Sequence, residues 1–214
     1  METNVTDLLA YVASLLHGSA RWMGWNLFLA LIPLGLSGWL FRRTTRRVSP
    51  LWWLGAAAFV GFLPNAPYVL TDVIHLVRAI RSDHSIWIVT LVLIPQYLLF
   101  MLVGFESYVL SLLSVERWLR QQGHHRAILG TTLLLHGLSA VGVYLGRFDR
   151  FNTWDLLTRP QSVLATLMQN ITTERSLLII FISTFVIALL YEAMKQITLG
   201  LACRIRQGSG RVMG

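Results

Sequence analysis

Residues 86–103 read IWIVTLVLIPQYLLFMLV, eighteen positions without one charged side chain. At about 1.5 Å of rise per residue, a helix of that length reaches most of the way across a hydrocarbon core of about 30 Å. Comparable blocks lie on either side of it. Membrane spans are expected at about 22–41, 51–70, 86–104, 127–145 and 177–194. The third either ends near 104 or continues as one tilted helix through Glu106 to about 119. Two shorter stretches, 7–17 and 160–171, are too short to span. They suit helices lying along the membrane surface, the second opening on Pro160 at a first-turn position. The expected fold is therefore all-α: a polytopic membrane helix bundle of about five transmembrane helices plus short interfacial helices, with 1–214 forming a single membrane domain.

Composition supports that reading. The chain is 55% hydrophobic and 13% charged, against roughly 45–50% and about 25% in soluble domains. The net charge of +8 does not point to nucleic acid, because the 18 Lys and Arg residues fall between the apolar runs. The basic run Arg42, Arg43, Arg46 and Arg47 is the clearest case. Loops one and three with the C-terminal tail carry eleven basic residues, and the other side carries seven. By the positive-inside rule the N-terminus lies outside and the C-terminus in the cytoplasm. Glu2 and Asp7 precede the first basic residue, Arg21, so no cleavable signal peptide is expected. The single Cys203 excludes an intramolecular disulfide and a Cys-only metal site. No cofactor is predicted. The expected partners are membrane lipids, an anionic ligand or another membrane protein, with a homo-oligomer allowed and nucleic acid excluded.

Two polar motifs interrupt the apolar pattern. The first, at 63–76, reads LPNAPYVLTDVIHL. Pro64 and Pro67 lack N–H groups, so the carbonyls of Val60 and Leu63 lose their ordinary helical partners. Irregular backbone at membrane depth is tolerated only where protein or a wet cavity satisfies it. Beyond the break, Tyr68, Asp72 and His75 are spaced four and three apart, on one helical face. A phenol, a carboxylate and an imidazole can move a proton, and Asp72 with His75 forms a weak metal signal. Equally, Asn65 can cap a helix restarting at Ala66, and Asp72 suits a first helical turn.

The second motif, at 144–160, reads YLGRFDRFNTWDLLTRP. Arg147 and Arg150, three apart, share a direction on a helical turn, and guanidinium groups suit two-pronged binding of phosphate or carboxylate. The alternative is internal pairing with Asp149, Asp155 or Asp72. Asn152 followed by Asp155 resembles a helix start, and Phe148, Phe151 and Trp154 suit an interface. The ends of spans two and four emerge on the same side if span three crosses once, so the two motifs can meet. A ligand-binding set of Asn65, Tyr68, Asp72, His75, Arg147, Arg150, Asn152, Trp154 and Asp155 follows, with Asp72 and His75 as the catalytic candidates.

These stretches resemble the paired signatures of the integral-membrane family termed domain of unknown function 1361. The similarity rests on LPNAPY followed by a T-D-x-I-H-L run, the pair Gly104–Phe105, and GRF-x-R-x-N-x-W-D. Asp149 stands where the family pattern has an apolar residue and carries less functional weight. The resemblance implies a multi-pass protein of the bacterial cytoplasmic membrane and supplies no activity.

Elsewhere, His136 in the fourth span is expected to hydrogen-bond between helices, and Pro95–Gln96 to mark a kink with the side chain satisfying freed backbone. Glu106 and Glu192 are expected in interfacial ion pairs with Lys195 and Arg117. No P-loop, G-x-S-x-G, H-E-x-x-H or dinucleotide fingerprint occurs. Three functional classes remain. They are a binding or accessory protein with a polar extracytoplasmic site, an enzyme acting on a lipid-linked or phosphate-bearing substrate, and a small transporter or transporter subunit.

Overall fold

A computed structural model of the chain describes residues 5–42, 49–82, 85–148, 151, 155–159, 161–163, 165, 168 and 173–211. Helix α1 spans Val5–Leu40 and α2 spans Pro50–Phe62. Two short segments follow, α3 at Asn65–Tyr68 and a 3-10 turn at Val69–Asp72, leading into α4 at Val73–Ile80. A helical turn at Ile86–Ile88 and a π-helical stretch at Val89–Leu93 open onto α5, Ile94–Gln121. Helix α6 is Ala127–Arg147 and α7 is Glu174–Arg211. The described residues contain no strand. Five segments are long and apolar enough to cross a membrane: Leu9–Leu40, Pro50–Ile80, Ile86–Gln121, Ala127–Arg147 and Glu174–Ile205.

The helices run longer than hydropathy alone indicated. Residues 7–17, expected as a separate surface helix, are continuous with the first span in α1. No proline or cap separates the two. The Ser19 hydroxyl bonds back to the carbonyls of Leu15 and Leu16 instead of starting a new helix. The 36 residues of α1 measure about 54 Å, so α1 tilts or projects beyond the hydrocarbon. The third span continues past 104 to Gln121. It stops at Gly123, whose φ of 80° turns the chain while His124 N–H bonds the Leu119 carbonyl at 2.9 Å. Of the surface helix expected at 160–171, only 161–163, 165 and 168 are described, and these are helical.

Helices α1 and α5 pack side by side along most of their length. Gln96 donates to Ser19 Oγ at 2.8 Å near one end, Ser107 Oγ donates to the Ala30 carbonyl at 2.7 Å in the middle, and Phe41 meets Trp118 at the other end. Gln96 thus joins two helices, and the turns just before Pro95, Val89–Leu93, are π-helical. Helix α2 lies against α1, and Trp52 Nε1 donates to the Leu40 carbonyl. Helix α7 packs mainly on α6, where Tyr144 and Ser176 share a 2.7 Å hydrogen bond. Outside this core, Trp87, Leu99, Phe181, Phe185 and Leu189 are exposed. Apolar surface on that scale belongs against lipid tails.

Candidate functional site

The double-proline motif makes the break that builds the site. Pro64 brings no N–H, and the chain tightens: Ala66 N–H bonds the Leu63 carbonyl at 3.2 Å, and Tyr68 N–H bonds the Pro64 carbonyl at 3.0 Å. The Leu63 carbonyl is therefore satisfied within the turn. Asn65 does not cap a helix at Ala66; its amide donates to the Phe62 carbonyl at 2.9 Å. The 3-10 turn then sets Asp72 facing inward, with no capping hydrogen bond from its carboxylate to α4. Two glycines allow the neighbours to close on this break. A Cβ on Gly104 would lie 2.6 Å from Val69 Cγ2, and one on Gly142 would lie 2.5 Å from Pro64 Cβ. Only the absence of a side chain permits these approaches.

Asp72 is the centre of the arrangement and is 1% exposed. Asn26 of α1 donates to its Oδ2 at 3.1 Å. Arg147 Nη2 stands 3.6 Å from Oδ1, and His75 Nε2 stands 3.8 Å from the same oxygen. Arg147 is itself held by the Thr71 carbonyl and by Tyr68, whose hydroxyl accepts at 3.5 Å and whose ring lies 5.5 Å from the guanidinium carbon. A buried carboxylate needs such partners, because leaving water without them costs several kcal/mol. Thr71 also donates back to the Tyr68 carbonyl at 2.7 Å, which stiffens the turn. The His75 ring rests on Trp22 at a centroid distance of 5.0 Å.

These groups border one cavity of about 530 Å³. Asn65, Tyr68, Asp72, His75 and Arg147 all line it, so the structure brings five of the nine expected residues together. Asp155 opens a short helical turn, Asp155–Thr158, and is not among the described lining residues. Arg150, Asn152 and Trp154, with Asp149, lie outside the described residues. Sequence reasoning missed Asn26, Thr71 and the wall formed by Trp22, Trp25, Gly142 and Gly146. Asn26 left a signal, being the one carboxamide in the first apolar block and four residues after Trp22. Trp22 and Trp25, at the start of the first apolar block, line the cavity. Among the described residues, no group of three or more His, Cys, Asp or Glu side chains is placed to hold a metal ion.

Residues 25–190 match the family described as protein of unknown function (DUF1361). This chain belongs to the DUF1361 family. Neither curated proteins nor solved structures gave a match. The matched segment contains both motifs, Asn26, and the two glycines at the helix contacts.

The DUF1361 chain has a second polar cluster nearer the other end of α5. Glu116, with its side chain 3% exposed, accepts from Lys195 Nζ and Tyr191 Oη at 2.7 Å each, and Arg120 lies 3.5 Å away. Sequence reasoning overlooked Glu116 and assigned Lys195 to other acids. Glu192 does approach Lys195, at 3.5 Å. Glu106 instead accepts from Thr198 at 2.8 Å, because its position on α5 meets α7 at a hydroxyl. His136 pairs with the Tyr108 hydroxyl at 2.8 Å, an interhelical bond as its mid-span position suggested. The contacts of this cluster tie α7 to α5 and α6.

Proposed function

We propose that this DUF1361 protein is a membrane binding protein whose polar cavity holds an anionic group: the phosphate or carboxylate of a small molecule, a lipid headgroup or a partner protein. The supporting observation is the placement of Arg147. Its guanidinium borders the cavity with 24% of its side chain exposed. The contacts to Thr71 and Tyr68 use two of its five N–H donors. Asp72 balances the charge from one side, and the Asn65, Asn26 and His75 side chains add donors around the same space. An anion entering there meets oriented donors in a site walled by Trp22 and Trp25, where water is partly excluded and charge-assisted bonds are strong.

Thermal unfolding in detergent, with and without phosphate, glycerol phosphate, dicarboxylates and lipids with anionic headgroups, tests this reading. Stabilisation by at least one of them, lost in Arg147→Ala, is the expected result. Absence of any shift across the panel, headgroup lipids included, overturns it.

The 3.8 Å approach of His75 to Asp72 favours a second reading. An imidazole beside a carboxylate is a candidate general base, which an enzyme acting on a phosphate-bearing or lipid-linked substrate would use. Turnover of such a substrate that disappears in His75→Ala, with binding retained, would select this reading over simple binding.

A further inference from the structure

We infer that the ligand of this cavity is a lipid, an anionic phosphate headgroup carried on a long apolar chain, and that the chain lies in a groove on the outer face of α1. The inference rests on the anion-binding reading of the cavity and adds the chemical class of its occupant.

The groove is lined by Gly18, Arg21, Trp22, Gly24, Trp25 and Phe28. Trp22 and Trp25 belong to both linings, so the two spaces adjoin across one pair of indoles. The floor is open because Gly18 and Gly24 carry no side chain; a Cβ at either would meet nothing within 4 Å. From Gly18 to Phe28 the helix rises about 15 Å, half of a hydrocarbon core of about 30 Å. That is the depth of one leaflet.

Polarity is distributed as an amphiphile requires. Arg21 sits on the groove, and Arg147, Asn26 and His75 sit on the cavity, so cations and donors gather beside the indoles. The remainder of the groove is Phe28 and the flanks of Trp22 and Trp25, surface that an acyl or isoprenoid chain covers at no cost in unpaired polar groups. A soluble anion uses the cavity alone and leaves Phe28, 56% exposed, unused.

Native mass spectrometry of the full-length detergent-purified protein provides the test. The probes are dioleoyl phosphatidic acid, a polyprenyl phosphate, dioleoyl phosphatidylcholine and water-soluble glycerol 3-phosphate. One or both long-chain phosphates should bind about tenfold or more tightly than glycerol 3-phosphate, the weight of only two buried methylenes. Phosphatidylcholine should bind more weakly than the phosphates. Gly24→Leu and Gly18→Leu fill the groove and favour helix, so both should fold. They should lower long-chain binding about tenfold and leave glycerol 3-phosphate binding unchanged. Melting curves confirm that each variant is folded, and Gly24→Ala, too small to fill the groove, should bind as the native protein does.

If glycerol 3-phosphate binds as tightly as the long-chain phosphates and both leucine variants bind normally, the lipid assignment is overturned while the cavity reading stands. If no phosphate binds in any form, the cavity reading falls and the lipid with it. Preference between phosphatidic acid and polyprenyl phosphate names the lipid's source.

Discussion

Removing Arg147 isolates the electrostatic centre of the site. At 3.6 Å from Asp72 and an effective dielectric near 20, two unit charges attract by about 4–5 kcal/mol. Part of this is lost to solvent, since the Arg147 side chain is 24% exposed. Asn26 and His75 also remain beside the carboxylate in the variant. Arg147→Leu should therefore cost about 2 kcal/mol of stability, less than the 3–5 kcal/mol of a fully buried pair. Asp72→Asn/Arg147→Leu removes both charges and should recover about 1 kcal/mol or more relative to the sum of the single losses. Equilibrium unfolding in mixed dodecylmaltoside–SDS micelles, followed by tryptophan fluorescence, measures the cycle across the four proteins. A single-variant cost below about 0.5 kcal/mol, or losses that add within that margin, would refute the assignment of Arg147 as the counter-ion of Asp72.

Three further outcomes follow from the packing. Gly104→Ala drives a methyl into Val69 and should cost about 1–3 kcal/mol in the same unfolding assay; adding Val69→Ala, which deletes the two clashing methyls, should restore part of the loss. Asn26→Leu leaves the buried Asp72 oxygen without its 3.1 Å donor and should cost about 1–3 kcal/mol, while Asn26→Asp, placing a like charge there, should cost more. Lys195→Met strips the 2.7 Å partner from Glu116 and should cost about 3 kcal/mol, with faster proteolysis within α7. Lys195→Met/Glu116→Gln should regain most of that stability, and failure to do so would show that packing, not charge, ties α7 down.

Much of the fold is legible in the sequence because membrane helices satisfy their own backbone. Eighteen uncharged residues at 86–103 leave a bilayer-spanning helix as the ready solution, and the same holds for each apolar block. The ends of the helices were less legible. Residues 7–17 join the first span in one helix within which Ser19 bonds back, and α5 ends just before Gly123, local features that hydropathy averages over.

For the site, the spacing of Tyr68, Asp72 and His75 announced a shared face, and the parity of the spans allowed Arg147 to reach it. Which partner Asp72 would take was another matter. Its closest hydrogen-bond donor is Asn26, 46 residues earlier on a different helix, and no local pattern encodes a contact of that separation. The cavity likewise arises from the approach of α6 to the proline break, which depends on Gly142 meeting Pro64. Apolar periodicity and proline chemistry are properties of short windows, so the chain alone determined the helices and the break. The neighbours of each polar group depend on how those helices rotate and close on one another, and that only the packed structure decided.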